Sequence, residues 1–200
     1  MDNAVALVQA YLRLNGYFTV CEFPIVDNTG KGACRTVTDL DVLGFRFPRA
    51  ARLLGESRSG DDLAVDQALG VTPGKPDMLI GEVKEGRPKL NDAIRNAKVL
   101  ETVLVRFGCC PPDHVPPVVR DLMRHGQAET ACGHTVRLVV FANGNTPVKG
   151  AQTVISIEHV LGFLNAFIDR NWDVLRHSQL KDPAFSFLML ASKAKHCVSY

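Results

Sequence analysis

Apolar positions recur along this 200-residue chain with two periods, and the switches between them mark out its elements. Val5, Leu7, Val8, Tyr11, Leu12 and Leu14 keep helical spacing ahead of Asn15-Gly16, which predicts a helix from Asn3 to Gly16. Tyr17 to Val26 reads as a strand. Asp27-Asn28-Thr29-Gly30-Lys31-Gly32 is turn chemistry, so a hairpin with the next strand, Val37 to Phe47, is expected. Pro48 to Pro76, punctuated by Gly, Pro and Ser, reads as an insertion holding a short helix from Asp61 to Leu69 behind a Ser59-Gly60-Asp61 cap.

The run from Asp77 to Gly86 is strand-like again. Leu90 to Phe107 is an amphipathic helix, with Leu90, Ile94, Ala97, Leu100, Val103, Leu104 and Phe107 on one face. A short helix is predicted from Val118 to His125, with Arg120, Arg124 and His125 in solvent. Thr135 to Ala142 and Gln152 to Ile157 are the most apolar strands, read as central and buried on both faces. Helices from Ser156 to Trp172 and from Asp182 to Ala194 close the chain, with fraying expected from Lys193.

Two of the strands carry charge where the apolar row should continue. Side chains alternate along a strand, so Met78, Ile80, Glu82 and Lys84 share one face, and Val37, Asp39, Asp41, Leu43, Phe45 and Phe47 share another. In the first strand the acids precede the apolar residues, whereas in the second the charges follow them. Antiparallel pairing therefore superimposes the apolar halves and brings Asp41 beside Glu82 and Lys84. A buried acid is unfavourable for stability alone. Magnesium, by contrast, uses one or two carboxylates together with substrate phosphate. Asp41 and Glu82 fit as ligands, with Lys84 to orient water or neutralise a phosphate.

Asp41 followed by Glu82-Val83-Lys84 resembles the motif of the PD-(D/E)XK, or restriction-endonuclease-like, nuclease superfamily. The resemblance implies an α/β fold: a restriction-endonuclease-like core in αβββαβ order, a mixed β-sheet flanked by α-helices, here with extra C-terminal helices. It also implies magnesium-dependent hydrolysis of nucleic acid, with manganese able to substitute. Asp41 takes the place of the family's first acid, Glu82 the second and Lys84 the lysine. Glu22, Asp39 and Asp77 are further helper acids; Pro76-Asp77 spells the family's dipeptide, but alternation puts Asp77 on the face opposite Glu82. Arg49, Arg52, Arg58 and Lys75 in the insertion are candidate phosphate contacts, and the first turn of the helix after the motif strand projects Asn91 and Arg95 toward the same edge, where a solvated helix face accounts for them equally well.

With 46% hydrophobic residues the chain can bury the core of a single domain, residues 1–200, with its insertion at 48–76 and a helical extension at 158–200. The first residues lack a basic and apolar leader and no apolar run is long enough to span a bilayer, so a cytoplasmic protein without membrane attachment is expected. Six cysteines at positions 21, 34, 109, 110, 132 and 197 form no C-x-x-C pair. Cys109, Cys110, His114, Cys132 and His134 lack zinc-knuckle spacing and read as small buried residues and loop histidines. A net charge of +2 excludes a strongly basic nonspecific DNA binder but leaves room for a local basic rim. The expected partner is nucleic acid, DNA ahead of RNA. The alternative is a nuclease-like module that binds nucleic acid or a protein without cleaving. A purely structural subunit, or a homodimer, joined through the C-terminal helices is also open, and exposure of Trp172 and Phe185 would favour it.

Overall fold

The computed structural model describes residues 2–28, 34–50, 65–178 and 181–197. Helix α1 (Asn3–Leu14) opens the chain, its first turn capped by the Asp2 carboxylate accepting from Ala4 N–H at 2.9 Å. Strands β1 (Tyr17–Asn28) and β2 (Cys34–Arg46) pair antiparallel as the hairpin pattern predicts, and most of the turn between them lies outside the described residues. Strand β3 (Asp77–Lys84) pairs antiparallel with β2, and β5 (Thr135–Ala142) runs parallel to β3. The outer edge of β5 is shared: β4 (Gln127–Glu129) lies along its first half and β6 (Thr153–Ser156) along its second. The result is a six-stranded mixed sheet.

Helices cover both faces. On one side α1, α4 (Ile157–Arg170), α5 (Trp172–Leu175) and α6 (Pro183–Cys197) bury Val8, Tyr11, Leu164 and Phe185 against Val42, Leu79, Val139 and Phe141. On the other, α2 (Ala97–Phe107) and α3 (Val115–His125) bury Leu100, Val103, Val119 and Leu122 against Leu43, Ile80, Leu138 and Val140. Alternation in β3 and β5 sends successive residues to these two cores. An α/β architecture, a mixed sheet flanked by helices, is thus present. Among the described residues no helix is long and apolar enough to cross a membrane.

Several element boundaries depart from the sequence pattern. The helix expected from Leu90 starts at Ala97, because the Asn91 side chain accepts from Ala93 N–H (3.1 Å) in a turn and Asn96 caps the helix through Lys98 N–H (2.9 Å). Leu90 and Ile94 still reach the core from the irregular stretch. Of the predicted Asp61 to Leu69 helix, residues 61–64 lie outside the described residues; Gln67–Leu69 is a single 3-10 turn capped by Asp66. Helix α3 starts three residues early, its prolines tolerated in the first turn, where backbone N–H groups lack helical partners. Strand β6 is short and half-buried rather than central, β4 is added, and α6 continues past Lys193 to Cys197.

Candidate metal-binding site

The antiparallel ladder between β2 and β3 runs from Arg46↔Asp77 to Val42↔Gly81. Its register would next pair Asp41 with Glu82. Instead the backbone ladder stops, and Asp41 Oδ2 accepts the Val83 N–H at 2.7 Å. The side chain thus takes over a bond that a strand would otherwise make, and this fixes its carboxylate at the fork between the two strands. Gly81 sits at the last pair because a Cβ there would lie 2.5 Å from Val42 Cγ1. A lone glycine inside an apolar strand is the sequence signal for such a close approach.

β2 is irregular at the same point. Leu40 and Leu43 both enter the core beneath α2, although uninterrupted alternation would separate them. Across the hairpin, Cys21↔Val42 and Phe23↔Leu40 bracket Glu22, which has a left-handed φ of 52° opposite Asp41. A non-glycine residue in that region stores strain, and such strain gathers at functional sites. The expectation that Asp39 and Asp41 share an unbroken face fails here. Asp39 is exposed and pairs with Pro24.

Glu82 is 1% exposed and continues the apolar row of Met78 and Ile80. Its Oε1 is ion-paired with Lys84 Nζ. Lys84 is half-buried, with its ammonium at the rim. Burial raises the Glu82 carboxyl above its ordinary range, Lys84 opposes this, and the Asp41 charge adds to it. Burial likewise raises Asp41, against the Val83 N–H and Lys84; the charges of Asp2 and Glu22 push further upward. Asp2 thus belongs to the electrostatics of the centre, a role that its position before an amphipathic helix signals only as a cap.

Asp41, Glu82 and Lys84 are therefore brought together, with Glu22 beside them. Asp77 is not. At the opposite end of β3 it is buried, accepts from Arg137 Nε (2.8 Å) and Nη2 (2.7 Å), and accepts from Tyr17 Oη at 2.6 Å. Lys75 pairs with Glu129 at 2.6 Å and Arg49 lies exposed at the end of the hairpin, while Arg52 and Arg58 lie outside the described residues. Phe185 is buried, and half-buried Trp172 stacks on His196 with centroids 4.1 Å apart, so the exposure that would favour a structural subunit is not found.

The segments after the parallel strands β3 and β5 adjoin one another. Asn143 N–H donates to the Gly86 carbonyl at 3.0 Å, and Arg95 Nη2 donates to the Lys149 carbonyl at 3.3 Å. Arg87, Lys89, Arg95, Lys98 and Lys149 are exposed on these segments, against the exposed acids Glu85 and Asp92. This is a larger positive balance than the +2 of the entire chain. The basic rim follows directly on the strand that carries Glu82 and Lys84.

Two carboxylates of hard oxygen, both held above their usual range by burial and sharing the charge of Lys84, suit a small divalent cation that keeps waters or phosphate for its other positions. Among the described residues no group of three or more His, Cys, Asp and Glu side chains is arranged to hold a metal ion. Of the cysteines weighed for zinc, Cys109 and Cys110 are buried free thiols, Cys132 is an exposed one, and burial pushes Cys109 up to about 12. Comparison with family models, with curated proteins and with solved structures gave no match.

Proposed function

We propose that this protein is a magnesium-dependent nuclease that hydrolyses phosphodiester bonds at the fork between β2 and β3. The observation that carries the reading is the burial of Glu82 beside Asp41, with Lys84 the one cation that offsets the two acids among the described residues. Asp41, fixed by the Val83 N–H, and Glu82 are the residues that would hold the cation. A divalent metal supplies two things when bound: a more acidic water and compensation for charge building on the phosphoryl oxygens. Lys84 places an ammonium at the rim, where it neutralises a substrate phosphate or orients the attacking water. The five cations after β3 and β5 hold flanking phosphates, without base preference.

The test is cleavage of single-stranded and duplex DNA, then RNA, with magnesium or manganese, by the protein and by Lys84→Ala. Metal-dependent product from the parent, reduced about 10²- to 10³-fold in the variant, is the expected outcome. A parent that binds DNA but yields no product with either metal would instead support a nuclease-like module without activity.

A further inference from the structure

A row of aromatic rings at the end of the hairpin stays outside both cores. Phe18, 69% exposed, and Phe47, 55% exposed, meet edge to face with centroids 6.0 Å apart. Phe47 rests on half-buried Phe45 at 4.9 Å, and Phe45 in turn meets His134 at 6.1 Å. The inner rings hold the outer ones in place, and two large apolar faces are left in water. Isolated exposed apolar residues are ordinary; a buttressed row of rings is not.

The surroundings select the occupant. Phe18 and Phe47 line an open groove of about 730 Å³ with Arg13 and Arg49. Among the described residues no acid lines the groove; Arg13 is shared with Thr19 (3.1 Å) and Asp182 (3.1 Å), while its side chain remains about half exposed. Rings flanked by guanidinium groups match a strand with unstacked bases and a phosphate backbone. A duplex keeps its bases stacked and offers the rings nothing.

The groove is also in line with the acids. Phe18 pairs with Phe45 and Val20 with Leu43, and the next position along the hairpin, between Cys21↔Val42 and Phe23↔Leu40, holds Glu22 and Asp41, which the ladder leaves unpaired. Val20 is itself exposed at 45%. Four residues of strand separate Phe45 from Asp41, roughly 13 Å, a distance of a few nucleotides. We infer that Phe18 and Phe47, with Arg13 and Arg49, form a base-stacking platform for a single-stranded segment of nucleic acid leading to the acidic centre. This rests on the nuclease reading for the destination of the strand, but the platform is testable alone.

The experiment is equilibrium binding, without divalent metal, of a fluorescein-labelled oligo(dT) and of a blunt duplex, to the parent, to Phe18→Ala/Phe47→Ala and to Phe18→Tyr/Phe47→Tyr. The parent should prefer oligo(dT). The double alanine variant should lose roughly fivefold to a hundredfold of that affinity per ring, the range of base stacking on an aromatic side chain. The tyrosine variant should restore it, since it keeps the π-face. Equal affinity for both probes, or an alanine variant that binds oligo(dT) as the parent does, overturns the platform. So does a parent dimer that the alanine variant dissolves, because the rings then cover a second copy. Cleavage in the preceding assay without this preference sinks the platform and spares the nuclease; the preference without cleavage does the reverse.

Discussion

Strand β3 carries a buried carboxylate at each end, and the two are treated in opposite ways. Asp77 receives two hydrogen bonds from the Arg137 guanidinium and one from Tyr17, so its charge is matched in the fixed fork geometry that suits a carboxylate. Glu82 has one flexible, half-exposed ammonium and a second acid as its neighbour. Both are about 1% exposed. The same strand thus shows what the fold does when an acid is there for structure, and Glu82 lacks that treatment. An acid matched less fully than its twin is what the proposed cation site requires.

The sharpest way to break the comparison is to remove the matching group at the structural end. Arg137→Ala leaves Asp77 buried and unpaired and should destabilise the fold by about 3–5 kcal/mol in denaturant titration. The same truncation at the other end, Lys84→Ala, should change stability far less. A smaller loss at Arg137 than at Lys84 would invert the assignment of the two ends.

Glu82→Gln, with an isosteric neutral amide, should raise the metal-free melting temperature slightly at neutral pH, because the carboxyl is held above its ordinary range. Asp77→Asn should lower it. Parallel shifts in the two variants would erase the distinction.

The smallest effect is in pH. Asp41 and Glu82 have folded-state values above their unfolded ones, so their contribution to stability is present below the unfolded values and lost as pH rises through the folded ones. Metal-free protein should therefore gain from these two as pH falls from neutral into the carboxylate range. Asp66 works the other way. Burial alone would raise it, but the Ala68 N–H, His159 and Tyr11 together hold it below its usual value, so its contribution is lost as pH falls through that value. The difference in melting temperature between parent and Glu82→Gln, followed against pH in chelator, isolates the first contribution; it should shrink toward acid.

The legible part of this molecule was set by local pattern. The opening helix, the hairpin strands, the buried strand Thr135–Ala142 and the meeting of Asp41 with Glu82 follow from period and from the opposed order of charged and apolar residues. What stayed hidden depends on contacts distant in the chain. Nothing near Asp77 announces Arg137 or Tyr17, and Asn91 and Asn96, able to cap either a turn or a helix, moved the start of α2. The left-handed Glu22, with the break of alternation at Asp41, is a property of the paired hairpin and is invisible in either strand alone.

Direct titration of manganese into the parent, Glu82→Gln and Asp41→Asn, read by calorimetry in the absence of nucleic acid, tests the central claim that these two acids form a cation site. The account predicts saturable binding by the parent, lost or weakened at least about tenfold in each variant as a ligand charge is removed. Equal binding by all three proteins, or no saturable binding by the parent, would contradict it.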